Sequence, residues 1–201
     1  MKRLVFLAFL LLAPVLAAPA GAAAAPRVLA IQFADDVNPV SQDWLNGQLE
    51  RAADDRYDAA VIVLDTPGGL SEAMRKIVAK ELSVRVPVVV WVGPPGARAA
   101  SAGVWIGEAA DVLAMAPGTN IGSSTPILQG GEDISDDLRR KIVNDAAAYI
   151  GELARENGRN VEEARKMVTE ASNLGAREAL RLDVVDLIAD DYASLLRQID
   201  G

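Results

Sequence analysis

One serine, one lysine and a pair of adjacent glycines are the residues in this chain whose types and spacing can do chemistry together. Asp65-Thr66-Pro67-Gly68-Gly69 ends a β-branched run. Two neighbouring glycines let a backbone approach a ligand closely and aim its N–H groups at developing negative charge. On its own the segment reads equally well as a strand-to-helix turn. Gly96-Ala97-Arg98-Ala99-Ala100-Ser101-Ala102-Gly103 sets a serine among small residues at a helix start, where its hydroxyl is uncrowded and lies over the positive helix end. An N-cap role accounts for the same serine. Ala99 stands where the G-x-S-x-G elbow has its first glycine, so that motif is not met. Lys141 follows Leu138 by three residues and precedes Ile142, at the margin of an apolar stripe. A lysine in apolar surroundings gives up its proton more readily and can then act as a general base. The alternative is an exposed i,i+4 pair with Asp145.

Composition narrows the chemistry further. The 201 residues hold 28 acids against 20 bases, a formal charge of −8, and neither histidine nor cysteine. Ser-His-Asp triads, Cys-His dyads, cysteine-ligated clusters, disulfides and zinc bound by histidine or cysteine are therefore excluded. The acidic balance, with no basic cluster beyond Arg139-Arg140-Lys141, leaves no electrostatic footprint for nucleic acid. Glu132, Asp133, Asp136 and Asp137 lack the spacing and turn glycine of a calcium loop and read as solvated charges. No metal or cofactor is expected.

The elements that must position these residues alternate strand with helix, which predicts an α/β fold with a mostly parallel sheet. Strands are expected at 28–33, 59–64, 86–92, 111–115 and 184–189. Helices are expected from Pro39 with Ser41 as candidate N-cap, from Ser71 as cap to about Leu82, and at 101–110, 134–155, 161–171 and 176–181. The stretch from Pro117 to Asp133 reads as a long loop. Its part from Ser123, continuing to Asp137, has the length of a substrate-gating segment. The glycine turn and the serine stretch both follow strands, where open α/β sheets collect their ligand sites.

Taken in order, Asp65-Thr66-Pro67-Gly68-Gly69, Gly96 to Gly103, Ala116-Pro117-Gly118-Thr119-Asn120-Ile121-Gly122 and Lys141-Ile142-Val143-Asn144-Asp145 resemble the NfeD family of Clp-protease-class serine peptidases. The resemblance runs from about Val28 to Asp191. It implies a Clp-protease/crotonase-like fold of repeated ββα and βαβ units and a Ser-Lys dyad, Ser101 as nucleophile and Lys141 as base. It further implies a backbone oxyanion hole at Gly68, Gly69 and Ala102, with the substrate lying along Asp65, Thr66, Pro67 and Leu70. Family members are described as membrane-associated proteases acting on apolar stretches of stomatin-like partners, and the fold family implies a homodimer. Longer members continue into membrane-spanning helices and a small β domain. A dyad needs no imidazole, in keeping with the missing histidines. Two other readings share parts of this pattern: a crotonase-type acyl-CoA enzyme and a non-catalytic module that binds a membrane partner.

The opening segment belongs to targeting. Lys2 and Arg3, the apolar run from Leu4 to Leu16 and the small residues Ala17 to Ala25 have the layout of a secretory signal peptide over 1–25, with an uncleaved membrane anchor as the alternative. Either places the domain over 26–201 outside the cytosol, in the periplasm or against the membrane.

Overall fold

The structure is a computed structural model that describes residues 25–127 and 135–200. The leader at 1–24 and the middle of the expected gating segment lie outside the described residues.

The centre of the molecule is set by two apolar strands, β2 (Ala59–Leu64) and β3 (Val88–Val92), which are buried on both faces, as near-continuous β-branched runs require. β1 (Val28–Phe33) pairs parallel to β2 at one edge. β5 (Val112–Met115) and the short β8 (Leu187–Ile188) extend the parallel sheet on the other side, in the order β1-β2-β3-β5-β8. Alternation along β2 divides the core: Ile62 and Leu64 join the large cluster with Phe33, Ile77, Ile106 and Met167, whereas Val61 and Val63 face a smaller cluster with Trp91 and Leu195.

Helices α1 (Pro39–Asp54), α2 (Ser71–Glu81) and α3 (Ala102–Ala109) contribute to the large cluster, together with α4 (Asp136–Glu156) and α5 (Val161–Thr169). α6 (Ala176–Arg181) leads towards β8, and α7 (Tyr192–Ile199) sets Leu195 against the other sheet face. Among the described residues no helix is long and apolar enough to cross a membrane.

Local chemistry moves several boundaries from their expected places. α1 is capped by Asn38, whose side chain accepts from Val40 and Ser41 N–H, and Ser41 returns the bond to Asn38 N–H, so Ser41 completes a capping box from inside the helix. Ser71 is the first residue of α2, with Leu70 in the cap position and no side-chain cap. Val184 and Val185 are buried in the core ahead of β8, not paired in it. The expected loop after Pro117 contains β6 (Asn120–Gly122), which pairs parallel with β4 (Arg98–Ala99) and antiparallel with β7 (Asn173–Gly175) to form a second, three-stranded sheet. That small sheet brackets the serine stretch.

Candidate active site

Ser101 sits on a backbone elbow. Its φ of 50° and ψ of −116° match the second position of a type II′ turn, closed by Gly103 N–H donating to Ala100 C=O at 2.9 Å. A residue with a Cβ adopts this conformation at a cost of about 1–3 kcal/mol, so it persists only where the surroundings fix it. Here they do: Ser101 N–H donates to Ser123 C=O at 2.8 Å, and its carbonyl accepts from Ser124 Oγ at 3.1 Å and Val104 N–H at 3.0 Å. Although Ser101 precedes α3, its hydroxyl makes no cap hydrogen bond. The simple N-cap role therefore does not hold.

The glycine turn lies directly against this serine. A Cβ built on Gly68 would stand 2.4 Å from Ser101 Cβ and 2.9 Å from its Oγ, and Gly68 has φ of 110°. Only glycine lets the two backbones come this close. Gly69 is pressed on its other side against Val37, whose carbonyl would lie 2.0 Å from an added Cβ. Val37 N–H donates to Gly68 C=O at 2.8 Å, and Leu70 N–H donates to Val37 C=O at 2.7 Å. In this parallel bridge the N–H and C=O of Gly69 itself point away from Val37.

The three expected oxyanion donors differ. Gly68 N–H donates to Thr66 Oγ1 at 3.1 Å, and Thr66 Oγ1 donates onward to Asp35 C=O at 2.7 Å. Gly69 N–H and Ala102 N–H have no acceptor among the described residues. Thr66 is wholly buried and props the turn from within, whereas Asp65, Pro67 and Leu70 reach the surface. Asp65 holds β4 in place by accepting from Arg98 N–H at 3.1 Å.

Lys141 is exposed near the start of α4, not embedded in the apolar stripe. The buried face of α4 begins only at Ala146 and continues through Ile150, Leu153 and Ala154. The pair with Asp145 does not form. Asp145 instead accepts from Arg75 of α2 at 2.8 Å, and the Arg75 guanidinium lies 4.5 Å over the Tyr149 ring, which stacks on Trp105 of α3. Lys141 lies one turn before Asp145, so it sits beside the part of α4 that meets Arg75. Among the described residues Lys141 makes no hydrogen bond or ion pair. The structure thus unites Ser101 with Gly68 and leaves Lys141 exposed on α4.

Sequence reasoning passed over a second polar cluster, at the far end of α3. Arg159, 6% exposed, donates to the carbonyls of Glu108 at 3.0 Å and Ala110 at 2.8 Å and to the Asp186 carboxylate at 2.7 Å. Its guanidinium completes the orphaned carbonyl end of the helix. The Glu108 carboxyl, wholly buried, lies 3.8 Å from Arg159 and accepts no hydrogen bond. Burial pushes it up to about 8, against the opposing pull of Arg159. Glu81 of α2 is likewise buried without a partner, and burial, reinforced by Asp111, raises it well above the ordinary carboxyl range. The one available signal was an acid in the otherwise apolar helix Val104 to Ala110.

A parallel sheet with a small second sheet, a strained serine elbow and a glycine turn packed against it define a Clp-protease-like α/β domain. The chain belongs to the NfeD1b N-terminal-domain family, whose model matches residues 27–195. It is 38% identical over 177 residues to "Membrane-bound protease PH1510" of Pyrococcus horikoshii, a match covering 87% of this chain and 40% of that relative's length. Two solved structures of a "1510-N membrane-bound stomatin-specific protease" superpose with a TM-score of 0.82. A serine-to-alanine variant is 37% identical, covering 88% of this chain and 86% of that one. A lysine-to-alanine variant in complex with a substrate peptide is 36% identical, covering 89% and 82%. ClpP1 from Listeria monocytogenes shares the fold at a TM-score of 0.67 and 21% identity, covering 83% of this chain and 94% of that one.

Proposed function

We propose that this domain is a serine endopeptidase that cleaves apolar peptide segments of a membrane-associated, stomatin-like partner through an acyl-enzyme. The observation that carries the reading is Ser101, held in a strained elbow with its Oγ against the Gly68 backbone and its hydroxyl free of any capping role. Backbone strain of this kind clusters at working sites, which separates Ser101 from an ordinary helix start.

In this reaction neutral Lys141 takes the proton of Ser101 Oγ as that oxygen bonds to the substrate carbonyl carbon, and the carbonyl electron pair moves onto its oxygen. The amides of Gly69 and Ala102, which have no acceptor among the described residues, hold the oxyanion. Gly68 N–H, already bonded to Thr66, shapes the turn. Collapse breaks the C–N bond, and the Lys141 ammonium returns its proton to the leaving amine. Water then releases the acyl group by the same steps.

Because Lys141 is exposed in the single chain, the bound peptide itself supplies the apolar cover that favours the neutral amine. An extended peptide can donate a main-chain N–H to the C=O of Gly69, which ties affinity to main chain and leaves little sequence preference. The relatives solved as serine and lysine variants, one of them with a substrate peptide, support this assignment.

The test is cleavage of an apolar peptide by the wild type and by Ser101→Ala, Lys141→Ala and Lys141→Arg. All three variants should be inactive, the last because arginine does not deprotonate. Full activity in any of them refutes the dyad.

A further inference from the structure

Beside the glycine turn the surface falls into two depressions that share Ala34 and Asp35. The first, about 440 Å³, lies among Asp35, Asp36, Asp65, Pro67 and Arg98. The second, about 450 Å³, lies between the end of β1 at Phe33 and the start of α1 at Val40 and Trp44. They adjoin at these two residues as the two parts of a trough, and Ser101 lines neither part.

The trough is fixed rigidly to the turn. Asp65 N–H donates to Phe33 C=O, Thr66 Oγ1 to Asp35 C=O, Val37 N–H to Gly68 C=O and Leu70 N–H to Val37 C=O, all within 2.9 Å. Its far end is apolar in an unusual way for this chain. Trp91 and Trp105 are 4% and 5% exposed, whereas Trp44 is 46% exposed and Val40, one turn before it on α1, is 80% exposed. Exposed aromatic surface beside a depression is characteristic of a contact site. The near end is acidic: the three aspartates face a single guanidinium, that of Arg98. Asp35 accepts only the N–H of Asp36, and Asp65 only that of Arg98, so each carboxylate keeps acceptor capacity for a cation.

We propose that this trough binds the part of the substrate polypeptide that flanks the scissile segment, seating an aliphatic or aromatic side chain on Val40 and Trp44 and a lysine or arginine among Asp35, Asp36 and Asp65. Charge complementarity and continuity with the glycine turn select this occupant. The proposal rests on the proteolytic reading above. It makes selectivity a property of the flank, while the cleavage site stays tolerant of apolar sequence.

The test measures binding, so it stands even if cleavage fails. The Ser101→Ala protein is titrated by calorimetry with an apolar core peptide and with the same core carrying a Lys-Phe or a Glu-Phe extension at either end. One Lys-Phe form should bind roughly tenfold tighter than the core. Trp44→Ala and the double variant Asp35→Asn/Asp36→Asn, each in that background, should abolish the gain without changing affinity for the core. The Glu-Phe forms should gain less. Equal affinity for all peptides, or a gain that survives both variants, overturns the proposal. It is equally overturned if Trp44→Ala changes the oligomeric state in sedimentation, which would make the trough an interface between copies. Trp44 emission that responds to lipid vesicles and not to the extended peptide would also overturn it.

Discussion

At its N-terminal end α3 begins under Ser101, where the Ala102 amide has no acceptor among the described residues and the serine is held at positive φ; about two turns on, the same helix ends on Arg159, whose guanidinium closes the Glu108 and Ala110 carbonyls. The first end leaves polar groups open to whatever arrives from solvent. The second buries them, to the point that the Glu108 and Glu81 carboxyls accept no hydrogen bond among the described residues. A helix this short and this buried gains little from its own propensity, so both ends are fixed by tertiary contacts. The open end remains strained because Ser123 and Ser124 hold the Ser101 backbone from outside the helix.

The comparison predicts that front-end changes abolish activity while sparing the fold, and back-end changes do the reverse. The largest effect belongs to Ser101→Ala, which should lower kcat by about 10³-fold or more with an unchanged melting curve. Next, Gly68→Ala forces Ser101 off its position and should cost about 10²-fold in kcat/KM, since displacements near 1 Å have that effect. Circular dichroism should remain native. At the back, Arg159→Met strips Asp186 and the α3 carbonyls of their donor, and chemical denaturation should show a loss of about 3–5 kcal/mol. An Arg159 variant that lost activity at native stability would break the comparison.

Glu108 sharpens it through pH. Its folded-state value near 8 exceeds that of an unfolded carboxyl, so between about pH 4.5 and 8 the native state binds more protons than the unfolded chain. Stability from this group is complete below that window and declines as pH rises through it. Glu108→Gln should flatten that decline, measured by melting temperature from pH 5 to 9. The smallest effect is Asp145→Asn, which removes the charge from an exposed pair with Arg75 and should cost no more than about 1 kcal/mol in chemical denaturation.

Much of the front end was legible in the sequence, because its residues obey local rules. β-branched runs marked the central strands, and the breaks after them marked the ligand side of the sheet. Gly68-Gly69 announced a close approach, which turned out to be to Ser101 as well as to any ligand. The second sheet was not legible, since strands as short as Arg98–Ala99 carry no periodicity. Lys141 was visible as a helix residue, but its exposure depends on where the buried face of α4 starts, and that is set by packing against α3 and α5. Arg159, between Gly158 and Asn160, looks like a loop charge; only the fold brings it beneath the end of α3. Glu108 was the better clue, an acid with no polar neighbour in its helix.

The central claim is that Ser101 forms a covalent acyl-enzyme without imidazole. Rapid acid quench of wild-type protein with an apolar peptide, followed by intact mass and peptide mapping, tests it directly. The account predicts an added mass equal to the acyl half of the peptide, located on Ser101 and absent from Ser101→Ala. Peptide cleavage by Ser101→Ala, or an acyl adduct on any other residue, would contradict it.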